Sequence, residues 1–257
     1  MSKPRLSFNT DDTFIGGTPD KFPVTQWSAI VALRSHEPNE RTRAFDAIVA
    51  AYWKPVYKYI RLKWNKANED AKDLTQGFFT KALEKDFFHG YDPARARFRT
   101  FLRACLDGFV ANENKAAQRL KRGGAAQILS LDFAGAEGEL KYIEIPSPDS
   151  MDDYFEQEWL RSLFSLALET LRAECDAKNK STHFQIFQRY DLEETGERPS
   201  YDQLAAEFNT SVTNITNYLA YARREFRRIV LEKLREMTAT DEEFFSEARA
   251  VLGVEMK

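Results

Sequence analysis

The stretch VTNITNYLAYARREFRR, Val212 to Arg228, sets Thr213, Asn214, Thr216 and Asn217 ahead of Arg223, Arg224, Arg227 and Arg228, in a chain whose formal net charge is −3. Hydroxyls and amides of this kind hydrogen-bond to base edges, Asn being a bidentate partner for adenine, while guanidinium groups neutralise phosphates. That is reading chemistry, not bond-making chemistry. A second set lies in FRTFLRACLDGFVANENKAAQRLKRGG, where Asn112, Lys115, Arg119 and Arg122 recur at i, i+3, i+7 and i+10 as a stripe without an acid. The preceding loop GYDPARAR and the helix start add Arg95, Arg97 and Arg99, so cations flank both ends of that helix and suit a phosphate backbone. A solvated charged face remains the plain alternative for this second set.

A third set has the opposite sign. In EDAKDLTQGFFTKALEKD, Leu74, Phe78 and Leu83 can face a core, which leaves Asp70, Asp73, Gln76 and Gly77 on or beside an exposed face. Such a face repels DNA and suits a protein partner bearing arginines; acids complementing the dipole of their own helix would explain Glu69 and Asp70 equally well.

Catalysis has no comparable constellation. His36, His89 and His183 are scattered without Cys or carboxylate at ligand spacing, and Cys105 and Cys175 form no metal motif. The two cysteines fit buried thiols in a reducing compartment. A non-enzymatic protein with no cofactor and no metal is therefore expected.

These residues must be held by helices. Apolar spacing of three and four recurs along the chain while strand-like alternation is rare, so the expected fold class is all-α. With 257 residues and 43% hydrophobic content the chain can bury two modest cores. No apolar run approaches the roughly eighteen residues of a membrane span, and the start MSKPRLSFNT lacks the apolar segment of a signal peptide, so a soluble cytoplasmic protein without a membrane role is expected.

The expected order is an N-terminal extension (1–40) with a short helix near Trp27–Leu33, then a first helical domain (41–124). That domain should contain Ala44–Leu62, Glu69–Glu84 and Phe98–Arg122, ended by Gly123 and Gly124. An acidic flexible linker (125–151) follows; from Asp132 to Glu158 Lys141 is the one basic residue. A second domain (152–237) and a C-terminal helical extension (238–257, helix Asp241–Leu252) complete the chain.

In RPSYDQLAAEFNTSVTNITNYLAYARREF, Ser200 with Gln203 has capping-box spacing, and Leu204, Ala205 and Phe208 share an inner face. Ser211 can cap the next helix, whose Val212, Ile215, Leu219, Ala222 and Phe226 point inward. Helix, short turn and helix with polar groups at the leading end of the second is the arrangement that enters a major groove. A helical hairpin with a solvated face is the bland alternative.

Taken in order, DAKDLTQGFF, FRTFLRACLDGFVANE with its basic end and Gly-Gly, the acidic tether, and SYDQLAAEFNTSVTNITNYLAYARREF resemble bacterial RNA polymerase sigma factors of the extracytoplasmic-function type, in the sigma-70 family. The likeness covers about Arg41 to Arg235. It implies two small helical domains, sigma2-like and sigma4-like, with core RNA polymerase and promoter DNA as partners. Asp70, Asp73 and Gln76 match the helix that docks on the polymerase's largest subunit. Arg95, Arg97 and Arg99 match the region near the melted strand, with Asn112, Lys115 and Arg119 meeting the downstream element. Thr213, Asn214, Thr216 and Asn217 match the upstream reader. The linker would lie in the polymerase's cleft and RNA exit path.

Two departures stand out. Many relatives are acidic where Lys72 and Gly77 stand, and many are basic near Thr216, Tyr218 and Tyr221. The first makes Thr75 a candidate regulatory phosphorylation site, since a phosphate would supply the missing charge; a helical Thr bonded to its own backbone is the alternative. A Ser/Thr protein kinase or an anti-sigma factor is the regulator the resemblance leaves open. A stand-alone helix-turn-helix regulator is the rival function.

Overall fold

The computed structural model describes residues 28–117, 131–140, 150–193 and 198–253. Among these the structure is all-α, with no strand. In order the helices are α1 (Ala29–Ala32), α2 (Pro38–Lys63), α3 (Asn68–Glu84), α4 (Phe98–Ala117), α5 (Phe133–Leu140), α6 (Met151–Ala177), α7 (Ser181–Phe187), α8 (Tyr201–Glu207), α9 (Val212–Glu236) and α10 (Asp241–Leu252). A 3-10 turn, Phe87–Gly90, precedes α4, and a π turn, Gln188–Leu192, follows α7.

Chain contacts divide the described residues into two units, one holding everything up to Ser165 and from Lys233 onward, the other Leu166–Glu232. Both cuts fall inside helices, α6 and α9, and neither coincides with the expected boundaries at 152 and 237. The reason is burial. Phe155 and Trp159 on the leading half of α6, and Phe244 and Ala248 on α10, are buried in the larger unit.

The larger unit is organised about α2. Ala44, Phe45, Ile48, Tyr52, Val56 and Ile60 line its buried face, following the three-four spacing. Pro38 starts the helix where no intrahelical N–H bond is needed. Tyr52 lies at the centre, its ring edge-on to Phe98 at 5.7 Å and stacked on Trp159 at 6.4 Å, so α2, α4 and α6 meet on one aromatic cluster. Ser28 ties α1 to the turn before α10, its hydroxyl donating to the Thr238 carbonyl at 2.6 Å.

The acidic segment expected to be a flexible linker contains α5, which is docked on α2. Phe133 sits edge-on to Trp53 and Tyr57, at 5.5 and 5.1 Å. Glu137 pairs with Arg61 at 2.6 Å, and Glu139 with Lys54 at 3.0 Å and Lys58 at 2.5 Å. Lys58 is itself buried and also meets the buried Glu158 of α6 at 2.6 Å. Burial works against the charge of Glu139, but the hydrogen bonds from Lys58 and Lys54 outweigh it and lower the carboxyl below its ordinary value. The acids were legible in the sequence; the cations they would find on α2 were not.

Among the described residues no helix is long and apolar enough to cross a membrane.

Candidate nucleic-acid interface

The smaller unit carries the helix-turn-helix. Ser200 caps α8 by a complete capping box: its hydroxyl accepts from the Gln203 N–H at 3.2 Å, and the Gln203 side chain accepts from the Ser200 N–H at 2.7 Å. Asn209 takes the left-handed backbone conformation, φ 47°, that a polar residue tolerates when a helix must turn sharply. The Ser211 hydroxyl accepts from the Asn214 N–H at 3.2 Å, capping α9.

Of the expected inward stripe on α9, Ile215, Leu219, Ala222 and Phe226 are buried. Val212 is a correction: at the first position of α9 it is 39% exposed, outside the buried stripe.

The expected base readers divide. Thr213 and Asn217 are exposed, and their side chains make no hydrogen bond among the described residues. Asn214 is partly buried, and its amide donates to the Thr210 hydroxyl at 3.0 Å, so it is engaged in fixing the turn. The Thr216 hydroxyl donates to the Val212 carbonyl at 3.1 Å and keeps its acceptor lone pair outward.

The arginines divide too. Arg223 is half-buried and bidentate on Asp191, at 2.8 and 3.0 Å, with its cation over the Tyr190 ring. Burial opposes its charge and Asp191 more than compensates, raising its pKa above the ordinary value. Arg223 is thus a structural tie between the π turn and α9, not a free phosphate contact. Arg224 is 62% exposed, with a long 3.4 Å contact to Glu225 and its cation over Tyr221. Arg227 is exposed. Arg228 is held by Glu174 of α6 at 2.7 Å and by Glu225 and Glu232. Of the four arginines expected on α9, Arg224 and Arg227 are therefore the two that face outward.

In the larger unit the cations before α4 are neutralised from within the chain. Arg95 is largely exposed and meets Asp92 at 3.3 Å. Arg97, about half exposed, meets Glu247 of α10 at 3.1 Å. Arg99 is a clear correction to the expectation of a DNA contact: it is 6% exposed, pairs with Glu247 at 2.6 Å and with Glu156, and lies over the Trp159 ring at 4.4 Å. Next along α4, Arg103 pairs with Asp152. What the sequence could not reveal is that α6 and α10 bring these acids to the same place. Farther along α4, Asn112 and Lys115 are exposed and without an ion pair among the described residues. Arg119 and Arg122 lie outside the described residues.

On α3, Asp70 and Asp73 are exposed, Gln76 is half-buried, and neither acid is ion-paired among the described residues. Lys72 meets Glu69 at 2.8 Å, three residues back, and so does not neutralise them. Gly77 faces α4, where an added Cβ would stand 3.4 Å from the Phe109 ring.

Thr75 is corrected. It is fully buried, and its hydroxyl donates to the Ala71 carbonyl at 2.7 Å. Ala71, Thr75, Phe78 and Ala82 form the buried face of α3, a spacing of four, three and four that the residue types alone disguise, since Thr is polar. A kinase has no access to that hydroxyl in this fold.

Cys105 and Cys175 are free thiols, each pushed up in pKa by burial and therefore poor nucleophiles. Among the described residues no group of His, Cys, Asp and Glu could hold a metal ion.

No protein-family model, no curated protein and no solved structure matches this chain.

Proposed function

We propose that this chain is a sigma-type transcription initiation factor that associates with core RNA polymerase in the cytoplasm and directs it to promoter DNA. The observation that carries the reading is the capped α8–α9 pair, with Thr213 and Asn217 at the leading end of α9 and Arg224 and Arg227 farther along it. The open acidic edge of α3, Asp70 and Asp73, supports a second, protein-binding face of opposite sign. No step in this role requires a cofactor or a bond-making residue. Opening a duplex costs a few kcal/mol per extruded base, which binding contacts offset.

One observation favours the rival reading, a stand-alone helix-turn-helix regulator. With Arg97, Arg99 and Arg103 ion-paired inside the larger unit, the start of α4 has little charge left for DNA, while Arg224 and Arg227 of α9 stay outward. A gel shift on promoter DNA with and without core polymerase separates the two. Specific binding that requires core polymerase supports the sigma reading, and tight specific binding by the chain alone, without co-elution with polymerase, removes it.

A further inference from the structure

Two carboxylates of the C-terminal helix stand on the groups at the start of α4 that suit a phosphate. Glu247 lies 3.1 Å from the Arg97 guanidinium and 2.6 Å from that of Arg99. Glu243 accepts from the Phe98 N–H at 3.3 Å, one of the free amides of the first turn of α4, and from the Tyr91 hydroxyl at 2.7 Å. A guanidinium pair beside the open amides of a helix N-terminus is anion-binding chemistry. Here both halves are filled by acids of the same chain.

We propose that α10 is a built-in competitor of DNA: Glu243 and Glu247 occupy the phosphate-binding groups at the start of α4, and DNA is taken there only when α10 gives way. The inference rests on the reading of this chain as a DNA-binding initiation factor.

Three features fit a clasp better than a structural strut. The oxygens of Glu247 are buried yet take no aligned hydrogen bond among the described residues, and a buried ion pair is weak support for a fold. The apolar anchor of α10 is small, with Phe244 and Ala248 buried while Phe245 on the same helix is 42% exposed. The helix closes its own ends, with the Thr240 hydroxyl capping one and Gly253 in the left-handed conformation the other, so neither of its caps depends on another element. Arg99 would stay in place, held by Glu156 and Trp159, so Arg97 is the cation whose availability changes.

The test uses the full chain, a labelled single-stranded promoter oligonucleotide and fluorescence anisotropy. Glu247→Gln removes the competing charge, and Phe244→Ala loosens the helix without touching a charge. Both are expected to bind about five-fold tighter or more, and Glu247→Gln to steepen the salt dependence by about one unit. The gain should vanish in Arg97→Ala/Glu247→Gln. Hydrogen exchange on the unaltered chain should show α10 losing protection when saturated with the oligonucleotide. Binding no tighter in either folded variant, a gain that survives Arg97→Ala, or α10 protection unchanged in the complex overturns the proposal. If a variant fails to fold, the exchange result on the unaltered chain decides. Co-elution with core polymerase is scored separately: tighter DNA binding without polymerase association leaves the clasp and removes the sigma reading, and the converse removes the clasp alone.

Discussion

Arg99 and Glu247 are joined by an ion pair at 2.6 Å in which both side chains are almost wholly shielded from solvent. The pair links the start of α4 to α10 and turns a residue that looked like a DNA contact into part of the interior. Burial opposes the charge of Arg99, and the field of Glu247 outweighs it, raising its pKa above the ordinary value. Arg99→Ala should therefore destabilise the larger unit by about 3–5 kcal/mol, because it leaves the buried Glu247 carboxylate with only the half-exposed Arg97 as partner. Arg97→Ala, at a half-exposed pair, should cost no more than about 1 kcal/mol. Urea unfolding followed by tryptophan fluorescence reads this unit, since Trp53, Trp64 and Trp159 all lie in it.

Thr75 lies in the seam of α3 with its hydroxyl on the Ala71 carbonyl. A carboxylate placed there has neither water nor a cation, so Thr75→Glu should destabilise by more than about 3 kcal/mol and weaken polymerase binding instead of enhancing it. Thr75→Ser, which keeps the hydrogen bond, should bind polymerase as the unaltered chain does. Thermal melts paired with co-elution distinguish these outcomes.

The docking of α5 rests on Phe133 more than on its acids. Phe133→Ala should cost about 3 kcal/mol and strip α5 amides of exchange protection. Glu139→Gln, at a side chain about half exposed, should cost no more than about 1 kcal/mol and leave that protection in place.

Arg223 and Arg224 are neighbours with different work. Arg223→Ala removes the better-shielded partner of Asp191, whose side chain is largely covered, and should destabilise the smaller unit by about 2–4 kcal/mol, as the remaining Arg198 is itself half exposed. Arg224→Ala should leave stability unchanged, weaken DNA binding across all sequences alike and reduce the salt slope by about one. Asn217→Ala, by contrast, should relax base preference with little change in that slope.

His183 sets a pH limit on the smaller unit. Burial, and then the charge of Lys180, lower its pKa below the ordinary value, while its ring stacks on Tyr218 at 4.0 Å and meets Tyr221 edge-on at 5.2 Å. The folded state favours the neutral ring, so the unfolded state binds the proton more readily. Stability is therefore full above about pH 6.5, the unfolded value, and falls as pH drops through the lower folded value. Hydrogen exchange of α9 amides across pH 7 to 5, corrected for intrinsic rates, should show that decline, and His183→Gln should flatten it.

Much of the fold was legible in residue order. The spacing of apolar residues located α2, α3, the leading part of α4 and, to the residue, α10, because a helix buries a stripe set by its own period. The capping box at Ser200, the turn at Asn209 and the cap at Ser211 were legible for the same local reason. Two readings failed where polarity misleads: Thr75 is polar yet sits in a buried register, and the acids of α5 look like a solvated tether yet have cations waiting on α2.

Sequence by itself therefore determined the helices other than α5, the caps around the helix-turn-helix and the sign of each charged stripe, all of which depend on neighbours a few residues apart. Which charges remain free was decided only by tertiary structure. Arg99 meets Glu247, and Lys58 meets Glu158, across 148 and 100 positions of chain. Coulomb attraction depends on distance in space and on local shielding from water, and neither is written in the order of residues.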